Sequence, residues 1–103
     1  MSATETPVLN PLSVAKDWND RGFNCEIRTA RTGMQRANTH VESDELFMLL
    51  QGTIELSVNG SVLQPTPGEE VVIPAGTRHV FHNVGDTEAR YLHGCWMDLA
   101  QTD

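Results

Sequence analysis

The chain has 103 residues, 39% of them apolar, which is enough for one compact core and fits a single domain. Its formal charge is −7 and no run of Lys or Arg appears, which argues against sequence-independent binding to nucleic acid or to an anionic membrane surface. The longest apolar runs, such as LFMLL at 46–50, fall far short of the ~20 residues a membrane helix needs, and MSATETPVLNPL lacks the basic and apolar regions of a secretory leader, so a soluble cytoplasmic protein is expected.

Residues 1–22 read as an N-terminal arm with a short helix. Within SVAKDWND, Ser13 is the expected helix cap, and Asn19, Asp20 and Gly22 stop the helix after about two turns. From Phe23 the pattern changes, and residues 23–103 read as one all-β domain. FNCEIRTAR, MQRANTHV, ELFMLLQG, TIELSV, SVL, EVVIP, HVFHNV and ARYLHGCWM are short strand-forming segments separated by turn signals. TIELSV alternates cleanly, with Ile54, Leu56 and Val58 on one face, and Asn59-Gly60 after it tolerates the positive φ of a two-residue hairpin turn. QPTPGEE is a loop, because its prolines forbid regular pairing, whereas VVI within EVVIP reads as a buried strand. Apolar residues at both parities of LFMLL imply a strand covered on both faces, by the barrel and its second sheet or by a partner subunit. Strands this short and evenly spaced predict a small antiparallel sandwich or barrel. Cys25 and Cys95 stand seventy positions apart without CxxC spacing, and buried free thiols are the preferred reading.

The chemistry-bearing residues fall in two stretches. In GEEVVIPAGTRHVFHN, at 68–83, Pro74 and Gly76 reverse the chain and His79 opens the returning strand, where alternation puts His79, Phe81 and Asn83 on one face and Val80 and His82 on the other. In NTHVESDE, at 38–45, the spacing of two between Asn38 and His40 aims both at the same side of a strand, and Arg36 shares their parity. His82 reads as a surface histidine, while the face of His93 in YLHGCW cannot be fixed for want of clear alternation.

Gly68, Pro74, Gly76, His79 and Asn83 stand at G(X)5PXG(X)2H(X)3N, and this stretch is similar to the second of the two motifs that define the cupin family. The first motif, G(X)5HXH(X)3,4E(X)6G, is resembled with defects. His40, Glu45 and Gly52 keep their spacing, but Asn38 stands in place of the first histidine and Gly33 is one residue too close. The resemblance spans about residues 25–97. It implies a cupin-type barrel, a double-stranded β-helix or jelly roll of six to eight antiparallel strands, and often a homodimer.

The resemblance further implies one divalent metal per chain, held by His40, Glu45 and His79, with Asn38 at the altered fourth position as a weak amide ligand or as a hydrogen-bond partner of metal-bound water. Imidazole and carboxylate donors suit iron, manganese, nickel, cobalt or zinc, and three protein ligands leave positions open. The competing reading of His40, Glu45 and His79 is a polar-lined barrel without metal. Arg36, Phe47, Phe81 and Tyr91 are candidates to line a substrate pocket, against the plainer readings of a solvated edge arginine and core aromatics. The leading functional expectation is a metal-dependent enzyme of dioxygenase, isomerase, cyclase or lyase type acting on a small organic molecule. Its rival is a non-catalytic cupin that binds or senses a small ligand, with or without a structural metal.

Overall fold

The structure, a computed structural model, describes residues 10–40 and 43–97, with the side chains of 38–40 outside that description. The chain enters helix α1 (Pro11–Asp20) through Asn10, whose side-chain oxygen accepts from the Leu12 amide at 3.0 Å. Proline at the first helical position costs nothing, because that amide would have no helical partner and the fixed φ suits the helix. Ser13, the cap expected from sequence, lies inside the helix instead, with its own amide bonded to the Asn10 carbonyl at 3.1 Å.

Among the described residues eight antiparallel strands follow: β1 (Glu26–Ala30), β2 (Gln35–His40), β3 (Glu45–Gln51), β4 (Ile54–Val58), β5 (Ser61–Leu63), β6 (Glu70–Ile73), β7 (Thr77–Asn83) and β8 (Ala89–Cys95). They form two four-stranded sheets, ordered β1-β8-β3-β6 and β2-β7-β4-β5, so most chain neighbours sit in opposite sheets. This is the jelly-roll arrangement expected from the sequence. The β4–β5 hairpin turns at Asn59 and Gly60, both at positive φ (52° and 88°), as a two-residue turn of the primed type requires.

Between the sheets lies the main core, built from Ala30, Phe47, Leu49, Val71, Ile73, Ala89 and Tyr91 of one sheet and Ile54, Leu56 and Phe81 of the other. Asn83 closes this core at one end. Its amide nitrogen donates to the Ala30 carbonyl (2.9 Å) and the Thr87 carbonyl (3.0 Å), and its oxygen accepts from the Gly85 amide (2.9 Å). The last motif residue therefore ties β7 to β1 and to the following loop. The VVI segment departs from expectation: Val71 and Ile73 are buried, but Val72 is 49% exposed on the outer face of the edge strand β6.

A second core lies outside the barrel and explains the two apolar faces of β3. Leu46 and Met48 of β3 and Leu92 of β8 pack with Phe23 and with Trp18 of α1, flanked by Val14, Cys25 and Leu50. The outer face is thus covered by the chain's own helix, not by the second sheet or by a partner. Gly94 makes the approach possible, because a Cβ there would stand 2.6 Å from the Asn24 carbonyl oxygen and 2.8 Å from the Trp18 ring.

Polar contacts fix the helix against β6. Trp18 Nε1–H donates to Glu70 Oε1 at 3.1 Å, and the Arg21 guanidinium grips both carboxylate oxygens of Glu70 at 2.9 and 2.8 Å while also reaching Asp17 at 3.0 Å. The Arg21 hydrogen bonds hold the Glu70 carboxyl below its ordinary value of 4.5, against the opposing effect of partial burial. A folded-state value below the unfolded one gives stability that is present above about pH 4.5 and lost as pH falls through the depressed value. Glu70→Gln should therefore cost roughly 1 kcal/mol at pH 7, discounted for solvent screening of Arg21, and the gap to the parent should close as pH drops below that window. Urea unfolding at a series of pH values measures this, and a pH-independent gap would rule out the ion pair as its source.

Candidate metal centre

Strand alternation and register assemble the site at one end of the barrel. Glu45 opens β3 and lies opposite Cys95 at the end of β8, while Phe47 lies opposite His93 and Leu49 opposite Tyr91. These residues share one face, so β3 and β8 together aim Glu45, His93 and Cys95 inward above Phe47 and Tyr91. From the other sheet, β7 sends His79 and Phe81 inward, as the sequence reading expected, and both are buried whereas His82 is only half-buried on the opposite face. In the β2–β7 pairing the backbone of Asn38 lies opposite His79, and that of His40 opposite Thr77. The side chains of both residues lie outside the described part of the structure.

Glu45 and His79 are wholly buried, and His93 is 4% exposed. Both imidazoles approach the same carboxylate oxygen: His93 Nε2 stands 2.6 Å from Glu45 Oε1, and His79 Nε2 stands 3.5 Å from it. A carboxylate oxygen only accepts, so Nε2–H of His93 is the donor in the shorter contact. At His79, Nδ1 lies 3.3 Å from the Thr77 carbonyl, an acceptor that orients the ring. His79 Nε2 makes no hydrogen bond among the described residues and faces a carboxylate oxygen in a buried space. An imidazole whose Nδ1 is turned to a backbone carbonyl and whose Nε2 faces a buried carboxylate has the disposition of a metal ligand.

Cys95 completes the group from the β8 side. Donor atoms of Glu45, His93 and Cys95 all lie within 4.8 Å of one another. The thiol is half-buried, and desolvation together with the negative field of Glu45 pushes its pKa up, so it is protonated in the absence of a cation. Its backbone is held by reciprocal bonds with Asn24, 2.8 Å from the Cys95 amide to the Asn24 side chain and 2.9 Å from the Asn24 amide to the Cys95 carbonyl. Cys25 lies on the opposite face of the sheet, in the outer core, so the two free thiols do not meet.

Beneath these donors the aromatics form a packed floor. Phe81 stacks on Phe47 at 5.4 Å between centroids and lies 5.6 Å from Tyr91, and both His79 (5.2 Å) and His93 (6.4 Å) stand edge-on to Phe81. Phe47, Phe81 and Tyr91 are therefore brought together under the donor group, while Arg36, opposite Phe81 on the edge strand β2, is exposed. Just beyond the site, Phe23, Ser43, Asp44, Ala75 and Trp96 line an open cleft of about 410 Å³, shaped by an Ala75 amide bond to Asp44 (2.9 Å) and by the edge-on pair Phe23 and Trp96.

Sequence reasoning left out His93 and Cys95. Tyr91, His93 and Cys95 do share a parity, but Leu92 between them is apolar because it serves the outer core, and this erased the alternation that would have assigned the face. Among the described residues no helix is long and apolar enough to cross a membrane.

Comparison with known proteins matches this geometry to one family. The family model described as Cupin_2, a cupin domain, matches residues 29–95, which include every strand that bears a described donor. The curated relative Polyketide synthase CurC from Streptomyces cyaneus is 35% identical over 53 residues, 52% of this chain and 34% of its own, so the chain spans about a third of that relative's length. The Cnp3 cupin domain of Schizosaccharomyces pombe superposes with a TM-score of 0.69 at 20% identity, over 79% of this chain and 60% of that one. A predicted oxalate decarboxylase from Thermotoga maritima gives 0.68 at 18% identity, over 80% and 73%. Identities this low carry the fold alone, but the family model covers well over half of the sequence, and with two sheets closed around an inward Glu45 and His79 the chain belongs to the cupin family.

Proposed function

We propose that this cupin binds one divalent transition metal between its sheets and uses it to act on a small organic molecule. The observation that carries the reading is His79 Nε2, wholly buried, without a hydrogen bond among the described residues and 3.5 Å from Glu45 Oε1. In this reading Glu45 and His79 are ligands and the family motif adds His40, with Asn38 at the fourth position. His93 stands beside this set, its Nε2 2.6 Å from Glu45 Oε1. The packed rings of Phe47, Phe81 and Tyr91 close the site from below.

A metal with open positions supplies Lewis-acid chemistry, polarising a carbonyl or binding a carboxylate, and activates dioxygen where it is iron. The name of the curated relative, a polyketide synthase, supports an oxygen-bearing organic substrate. Enzymatic turnover is therefore the reading we favour over passive ligand binding.

Elemental analysis of untagged protein is expected to find about one divalent transition metal per chain, with open positions as in catalytic sites. His79→Gln, which keeps most of the ring's bulk, should retain the fold by circular dichroism and lose nearly all of that metal. Folded protein that carries no metal and takes none up from iron, manganese, nickel, cobalt or zinc would overturn the proposal.

A further inference from the structure

The two motifs of the family draw their donors from β2, β3 and β7, and His93 and Cys95 on β8 belong to neither. Yet these two place an imidazole and a thiol within 4.8 Å of Glu45 and of each other, inside the barrel. The His79 nitrogen stands 3.5 Å from the same carboxylate oxygen, wholly buried and without a hydrogen bond among the described residues. A tetrahedral zinc-type centre, with metal–nitrogen bonds of about 2.0–2.1 Å and metal–sulfur bonds of about 2.3 Å, sets its donors roughly 3–4 Å apart. Reaching that spacing brings Cys95 in and lets His93 and Glu45, 2.6 Å apart through their hydrogen bond, separate slightly, side-chain adjustments of about an ångström on a backbone pinned at Cys95 by Asn24 and at His93 by its pairing with Phe47.

We infer that Glu45, His93 and Cys95 form a thiolate-bearing metal subsite, so that the metal of this chain is a borderline ion of the zinc class held partly by sulfur. The inference rests on the metal-binding reading above, because Glu45 is common to both, and goes beyond it in naming β8 as a source of ligands. Its chemical consequence is selectivity. Sulfur favours zinc and cobalt over magnesium, calcium and manganese, which prefer oxygen donors. Binding expels the thiol proton, since only the thiolate ligates, and where His93 ligates through Nε2 its ring proton moves to Nδ1. The half-buried position of Cys95 leaves it reachable by an incoming ion while keeping water from competing freely.

Cobalt(II) titration of the apo full chain is the test, because a cobalt–thiolate bond gives a near-ultraviolet charge-transfer band that nitrogen and oxygen ligands do not. The expected result is saturation at about one equivalent with that band present, its loss in Cys95→Ser, and its retention in Cys25→Ser. Zinc affinity, read by competition with a chelating dye, should fall at least about a hundredfold in Cys95→Ser. X-ray absorption of the zinc-loaded parent should show sulfur at about 2.3 Å, a readout that needs no variant to fold. Cobalt bound with ligand-field bands but no charge-transfer band, or a band that follows Cys25, overturns the Cys95 inference and leaves the metal reading standing. Failure of the parent to bind cobalt or zinc at all overturns both.

Discussion

Trp18→Ala is expected to lower the free energy of unfolding by about 4 kcal/mol, the largest loss for any single truncation outside the barrel. Trp18 is 0% exposed and touches the outer core on a helix that would otherwise have no apolar anchor deeper than Val14. Large-to-small core changes of this size cost roughly 3–5 kcal/mol through lost transfer energy and the cavity left behind. To this is added the loss of the Nε1–H bond to Glu70, worth about 1 kcal/mol, which leaves Arg21 as that carboxylate's main partner. For a domain whose total stability is of order 5–15 kcal/mol the variant should be close to unfolding at 37 °C. Trp96, which is 49% exposed, provides the control: Trp96→Ala should cost much less. Urea unfolding of both variants decides the matter, and equal losses would mean that α1 is not part of the cooperative unit.

That helix also marks the boundary of what could be read from the sequence. On β7 the inward residues His79, Phe81 and Asn83 alternate with outward residues that face solvent or half-face it, and the strand's polarity pattern therefore displays its geometry. The Asn59-Gly60 turn is legible for a similar local reason, since two adjacent positive φ values demand those residue types. On β3 and β8 both faces are buried, one by the second sheet and one by α1, so Leu46, Met48 and Leu92 are as apolar as their inward neighbours. Period-two reasoning has nothing to work with there, and it is there that His93 and Cys95 enter the site. What revealed them was the pairing register, Glu45 to Cys95 and Phe47 to His93, which only the three-dimensional arrangement supplies. The misplaced cap has a local cause: both Asn10 and Ser13 can cap, and Pro11 decides between them by favouring the first helical position. The backbones of Asn38 and His40 register on β2 opposite His79 and Thr77.

Zinc added to the apo protein should raise its stability steeply, and Glu45→Gln should abolish the gain. A ligand that binds only the folded state stabilises it by about 4 kcal/mol at a thousandfold excess over Kd. At about 4–8 °C per kcal/mol for a domain of this size, that is a rise of roughly 15–30 °C in Tm, reduced by whatever zinc binds to the unfolded chain. Glu45 is the residue to change because every described donor converges on it: His93 at 2.6 Å, His79 at 3.5 Å, and Cys95 within the same 4.8 Å group. Glutamine keeps the length and one oxygen but removes the charge that compensates the cation in a space from which water is excluded, where an uncompensated charge is costly. The variant separates this site from the exposed acidic residues Asp17, Asp20, Asp86 and Glu88, which could collect metal weakly at the surface and would be untouched by the change. Thermal unfolding of parent and Glu45→Gln with and without zinc makes the comparison. A gain that survives in Glu45→Gln would place the metal on that outer surface and remove the chemical basis for a reaction inside the barrel.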